Sequence, residues 1–284
     1  MSLFNVAKEK KMNIPRKLLD LGIEVDSKTG HLFYSSTFKP LELNFELVFV
    51  RHGETFGNCG QSTAEGKIDH DLVNSHTKNS ANRIFQGDVD KDINQLTATG
   101  KDQAVNAAEK LEKEFLDQGW IPDVIFHSPL TRARETAIPF VERNKFHKKF
   151  QPLDEIKEMS FGEWENQRVS DMKENDVCHS FYREQHALVK SEGSSENFCE
   201  VLLRAYNVLT NLNASHRGQK IVMFSHSMIG AAISILCGKG QKIENGNYLA
   251  FDGKKSNNDS YTMPHATPCL LNVPLERNLY RCRN

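Results

Sequence analysis

Two arginines and two histidines stand where a fold could bring them to one point: Arg51 and His52, Arg132, and His226. Each lies at or just beyond the end of a short apolar run. Glu46-Leu-Val-Phe-Val50 leads into Arg51-His52. Pro122-Asp-Val-Ile-Phe126 leads into His127-Ser128, with Arg132 one turn further on. Lys220-Ile-Val-Met-Phe224 leads into Ser225-His226. Two imidazoles and two guanidiniums at one spot repel each other unless an anion sits among them. Arginine's planar fork pairs bidentately with phosphate oxygens, which a lysine point charge does not do. A lone histidine at a strand end is more often structural. The shared position of these four side chains is what points to a bound phosphate.

The elements that must hold them follow from hydrophobic period. The three runs are short, apolar and rich in β-branched residues, as buried strands are. Helical patterns alternate with them. Thr97 is placed as the N-cap of a helix carrying Ala104, Ala108, Leu111 and Phe115 on one face, with Gly119 beyond its end. Ser195 is placed at the start of a second, with Phe198, Val201, Leu202, Ala205, Leu209 and Leu212 facing inward. A third runs from His226 through Met228, Ile229, Ala232, Ile233 and Leu236 and stops at Gly238. Strands alternating with helices imply an α/β fold, a mainly parallel central sheet with helices on both faces. Ligands in such sheets bind beyond the carboxyl ends of the strands, and there the following helices can aim their N-terminal N–H groups at an anion.

Composition narrows the classes of function. The formal net charge of the 284 residues is -1, so no global field recruits nucleic acid or an anionic membrane, and neither is expected as a partner. Six cysteines, at 59, 178, 199, 237, 269 and 282, form no C-x-x-C pair and read as reduced thiols. His70, His76, His147, His179 and His186 lack the spacing of metal ligands, so no metal and no cofactor is expected. There is no Walker-type glycine loop. The stretch MSLFNVAKEKKMN is charged where a signal peptide needs an apolar run, and no segment approaches the ~18 apolar residues of a membrane span. A cytoplasmic location is the expectation. No sequence signal sets an oligomeric state.

Order and spacing carry a resemblance. Val50-Arg51-His52-Gly53-Glu54-Thr55 with Asn58 is followed by Phe85-Gln86-Gly87 and by Leu96-Thr97-Ala98-Thr99-Gly100 with Gln103 and Ala104. Ser128-Pro129-Leu130-Thr131-Arg132-Ala133 with Thr136 comes next, then Glu158 and Gly162, then Ser225-His226. In this order the blocks resemble the histidine phosphatase superfamily, which includes the phosphoglycerate mutases, over roughly residues 46–273. Ser195-Glu196-Asn197-Phe198 with Arg204 resembles an altered form of a further block.

The resemblance implies a phosphoglycerate mutase-like three-layer sandwich and a set of roles. His52 is the nucleophile that forms a phosphohistidine. Arg51, Arg132 and His226 hold the phosphoryl oxygens with Asn58 assisting. Glu158 protonates the leaving oxygen and then deprotonates the attacking water. No metal enters this scheme. Residues 1–45 are expected as an N-terminal extension packed on the core, and 46–284 as the phosphatase domain. Within it, the polar stretch at about 59–82 enlarges a turn beside Asn58, either as a lid or specificity loop or as disordered filler.

Resemblance alone leaves the reaction open. A mutase-type phosphotransferase would need an arginine-bearing insertion after Glu158, and only Arg168 and Arg183 lie between Glu158 and Ser195. A catalytically inactive phospho-ligand binding module would have lost one of the reacting groups, and all are present. The expectation is a phosphomonoester hydrolase acting on a phosphorylated small molecule or a phosphoprotein. His265, in Met263-Pro-His-Ala-Thr-Pro268, lies where the family's last strand begins and is read as structural.

Overall fold

The computed structural model describes residues 14–172, 174–243, 247–251 and 263–272. A five-stranded sheet forms its centre, built from β3 (Glu46–Arg51), β4 (Val124–His127), β5 (Phe150–Pro152), β6 (Lys220–Ser225) and β8 (Pro268–Asn272) in the order β5-β4-β6-β3-β8. The pairs β5–β4, β4–β6 and β6–β3 are parallel, and β8 closes one edge antiparallel to β3. This is the mainly parallel α/β sheet the sequence implies.

Strand residues alternate between two cores, as the two-residue period requires. Val48, Val50, Val222, Phe224 and Ile125 pack with Ala107, Ala108 and Leu111 of α4 (Ala98–Glu114) and with Ala137 and Phe140 of α5 (Thr131–Arg143). Leu47, Phe49, Ile221 and Met223 face the other way, onto Val201, Leu202, Leu209 and Ile229 of α7 (Phe198–Ser215) and α8 (Ser227–Leu236). Three layers result. The Thr97 side chain caps α4 by accepting from the Gly100 N–H at 3.0 Å. The start of α7 differs from the sequence reading. Its N-cap is Asn197, not Ser195, because Asn197 and Glu200 form a reciprocal capping box.

Residues 14–45 lie against the second core, while residues 1–13 of the expected extension fall outside the described residues. The short helix α1 (Arg16–Asp20) is followed by β1 (Ile23–Val25) and β2 (Leu32–Tyr34), which join β7 (Tyr248–Leu249) in a small antiparallel sheet. Leu18, Ile23 and Leu32 are fully buried in the cluster that holds Leu47 and Leu209.

The polar stretch after Asn58 is folded without an apolar face of its own. It contains the end of α2 (Phe56–Cys59), the short helix α3 (His70–Asn74) and a 3-10 turn at Ser80–Asn82. Hydrogen bonds hold it. The Gln61 amide donates to the Leu72 and Thr77 carbonyls, and the Asn79 N–H to the Cys59 carbonyl. Lys78 reaches back to pair with Glu54 at 2.8 Å. A seven-residue helix, α6 (Asp176–Tyr182), follows Glu158 in the chain. Among the described residues the cysteines at 59, 178, 199, 237 and 269 form no disulfide, and Cys282 lies outside them. No helix among them is long and apolar enough to cross a membrane.

Candidate active site

Strand β6 lies between β3 and β4, so the residues that follow these strands emerge side by side. The ladder continues past the strand ends. The His52 N–H donates to the Ser225 carbonyl, and the Ser128 N–H to the Phe224 carbonyl, each at 2.9 Å. The His52 and His226 rings consequently stand 5.3 Å apart between centroids. Arg51, the last residue of β3, is buried and donates through Nη1 to the Met263 carbonyl at 3.0 Å. Arg132, in the first turn of α5, is fully buried, and the Gly87 and Val89 carbonyls accept from its guanidinium. Burial lowers its pKa to about 10.

Each imidazole has a defined partner. His52 Nδ1 lies 2.7 Å from the Gly53 carbonyl oxygen, which can only accept, so Nδ1 carries the proton and Nε2 a free lone pair. Gly53 is itself held by Thr136, whose Oγ1 accepts its N–H at 3.0 Å. A Cβ at Gly53 would lie 2.5 Å from the Gly100 carbonyl, so the close approach of α4 requires glycine there. His226 Nε2 lies 2.8 Å from Ser128 Oγ, which also accepts from the Leu130 N–H. The hydroxyl can donate to Nε2 or accept from it, and Nδ1 has no partner among the described residues. Burial first, then Arg132 and Arg51, hold both rings well below the ordinary histidine range, so both are neutral.

Glu158 sits beyond β5 in the same cleft, with its carboxylate accepting the Met159 N–H at 2.9 Å and the Met228 N–H of α8 at 3.1 Å. Burial raises its pKa, against those two N–H groups and the charges of Arg132 and Arg51. A carboxyl of this kind holds a proton at a higher pH than an exposed one. Asn58, half-buried in α2, accepts through Oδ1 from His265 Nε2 at 3.3 Å, which leaves its amide N–H groups for another acceptor.

The six residues singled out from the sequence therefore converge. His265, read there as structural, joins them: its ring lies 5.8 Å from that of His52, and burial followed by Arg51, Arg83 and Lys78 lowers its pKa to about 2. A proline-bounded histidine in a segment of irregular composition gives no period to read, so only tertiary structure places it. Arg204 was legible only as part of an altered motif block. It binds Glu196 through Nε and Nη2 at 2.8 Å each and also donates to the Glu155 and Lys157 carbonyls, so it shapes the turn that carries Glu158. Buried polar atoms with no partner among the described residues include Arg132 Nε, Gln86 Nε2 and His226 Nδ1. A tetrahedral oxyanion supplies several acceptors to such donors. Among the described residues no three His, Cys, Asp or Glu side chains are grouped so as to hold a metal ion.

The chain is similar in sequence to known phosphatases. The chain is 35% identical over 283 residues to a mannitol-1-phosphatase of Eimeria tenella, covering 89% of this chain and 82% of that one. It is 27% identical over 190 residues to a metal-independent phosphoserine phosphatase of Arabidopsis thaliana, covering 66% of each. Among solved structures it is similar to phosphoserine phosphatase of Entamoeba histolytica in complex with 3-phosphoglyceric acid. That match has a TM-score of 0.48 and 22% identity, over 68% of this chain and 78% of that chain. Residues 47–258 match the family model of the histidine phosphatase superfamily, branch 1. With about three-quarters of its length inside that match, and with such a relative along most of it, the chain belongs to the histidine phosphatase superfamily.

Proposed function

We propose that this phosphatase hydrolyses phosphomonoesters of small polyhydroxy alcohols, by transfer of the phosphoryl group first to His52 and then to water. The observation that carries the reading is the His52 ring. Its one lone pair is on Nε2, it is neutral, and it is flanked by Arg51, Arg132 and His226. In the first step Nε2 forms a bond to phosphorus as the ester P–O bond breaks. Glu158 gives its proton to the departing alkoxide oxygen. In the second step the Glu158 carboxylate takes a proton from water, whose oxygen attacks phosphorus as the N–P bond breaks. Arg51, Arg132, His226 and the Asn58 amide hold the phosphoryl oxygens throughout.

The substrate class draws on the mannitol-1-phosphatase relative, aligned over 89% of this chain. A cytoplasmic location fits substrates of that kind, which do not cross membranes unaided. Hydrolysis is favoured over mutase-type transfer because the arginines between Glu158 and Ser195 are engaged elsewhere. Arg168 donates to the Ser62 carbonyl, and the Arg183 guanidinium lies 5.7 Å from the Tyr182 ring centroid. In this reading residues 46–284 are the catalytic domain, 1–45 an extension that buttresses it, and 59–82 a specificity loop reaching the site through Lys78 and Glu54. The test is a panel of hexitol 1-phosphates, phosphoserine, 3-phosphoglycerate and a phosphopeptide, assayed by phosphate release. A hexitol phosphate is expected to exceed the others in kcat/KM by about tenfold or more. Absence of phosphate release from every alkyl monoester would overturn the proposal.

A further inference from the structure

Glu165 is a buried carboxylate that the mechanism above does not use. It follows the 3-10 turn Gly162–Trp164, and its oxygens accept from three backbone N–H groups: Phe161 at 2.9 Å, Gly87 at 3.0 Å and Asp88 at 3.3 Å. The Gly87–Asp88 peptide is gripped from both sides. Its N–H goes to Glu165, and its carbonyl accepts from Arg132 Nη2. The Val89 carbonyl accepts from Arg132 Nη1 at 3.3 Å, and Asp90 accepts the Thr131 N–H at 3.0 Å. The segment from Gly87 to Asp90 is thus a cradle for the first turn of α5, tied down by Glu165 at one end and by Asp90 at the other. The fit is tight, since a Cβ at Gly87 would collide with Glu165 Oε1.

We infer that Glu165 is a positioning residue for Arg132, holding the Gly87–Val89 carbonyls where they aim the guanidinium at the phosphoryl group. The inference rests on the role of Arg132 proposed above. Among the described residues nothing else accepts the Gly87 and Asp88 N–H groups, and a guanidinium held by carbonyls keeps its full charge for an anion. A carboxylate suits this task better than an amide, because it accepts from all three N–H groups without presenting a donor to them. Burial pushes the Glu165 pKa up to about 7, so the carboxylate prevails at the pH 8 chosen for the test.

The test is a double-mutant cycle on kcat/KM for an aryl phosphate, with thermal melting to confirm that each variant folds. Glu165→Gln keeps size and removes the charge. Glu165→Ala removes the acceptor of all three N–H groups. Each is expected to lower kcat/KM by about 10–100-fold, the effect of a displacement near 1 Å at a reacting group. In an Arg132→Ala background, itself lower by about 10²–10³-fold, each is expected to change the rate less than about threefold, because the residue through which they act is gone. Multiplicative losses in that background would show a general structural role and overturn the inference while leaving the role of Arg132 intact. Full activity of Arg132→Ala would overturn both.

Discussion

His52 Nδ1 donates to the carbonyl of its own neighbour, Gly53, at 2.7 Å, and this contact decides which ring nitrogen keeps a free lone pair. The proton cannot reside on Nε2 without leaving a lone pair on Nδ1 facing a carbonyl oxygen. The proposed nucleophile therefore depends on the placement of the Gly53–Glu54 peptide, whose N–H donates to Gln103 Oε1 at 2.8 Å.

Glu158→Gln separates proton transfer from phosphate holding. An alkyl ester leaves as a basic alkoxide and needs the proton, so kcat should fall by about 10²–10⁴. Phosphorylation by an aryl ester should suffer much less, giving a burst of aryl alcohol before slow turnover. Single-turnover measurements with both esters check this. Equal losses would place the acid elsewhere.

The buried imidazoles link stability to pH. Burial and neighbouring cations depress the folded-state pKa values of His52, His226 and His265 below 6.5. A depressed pKa contributes stability that is present above the unfolded value and lost as pH falls below it, by at most about 1.4 kcal/mol per pH unit for each group. Glu158 and Glu165, both raised, act in the opposite sense. Burial depresses His127 and His186 as well. With five imidazoles against two carboxyls, the urea midpoint should fall between about pH 7.5 and 5.5, and fall less in His265→Asn. Equal falls in the two proteins would contradict the assignment.

Gly60 anchors the polar loop with φ of 73°, and a Cβ there would collide with the Asn79 carbonyl oxygen. Gly60→Ala should cost about 1–3 kcal/mol in chemical denaturation. In the specificity role proposed for the loop, which pairs Lys78 with Glu54, it should also raise KM more than it lowers kcat. An unchanged KM would remove the loop from substrate selection.

All the cations assigned to the phosphate are side chains, so activity should persist in EDTA. Full loss in chelator, restored by magnesium or zinc, would contradict the mechanism.

The sheet and the grouping of Arg51, His52, Arg132 and His226 were legible because buried strands are short apolar runs that stop where polar residues begin. Glu46–Arg51 and Lys220–Ser225 show this directly. The structure of the polar loop was not, because side-chain amides and backbone carbonyls hold it, as Gln61 does, and such bonds leave no period. Ser195 and Asn197 are both good caps, and what separates them is Glu200, three residues beyond Asn197. Glu165 carries no signal in the sequence because its partners Gly87 and Asp88 are far away along the chain and bind through backbone.

The most direct test of the account is to trap the enzyme during turnover with labelled substrate, denature it and map the phosphate. The account predicts acid-labile, alkali-stable phosphate on His52, and none in His52→Ala. Label on His226, or turnover that survives His52→Ala, would contradict it.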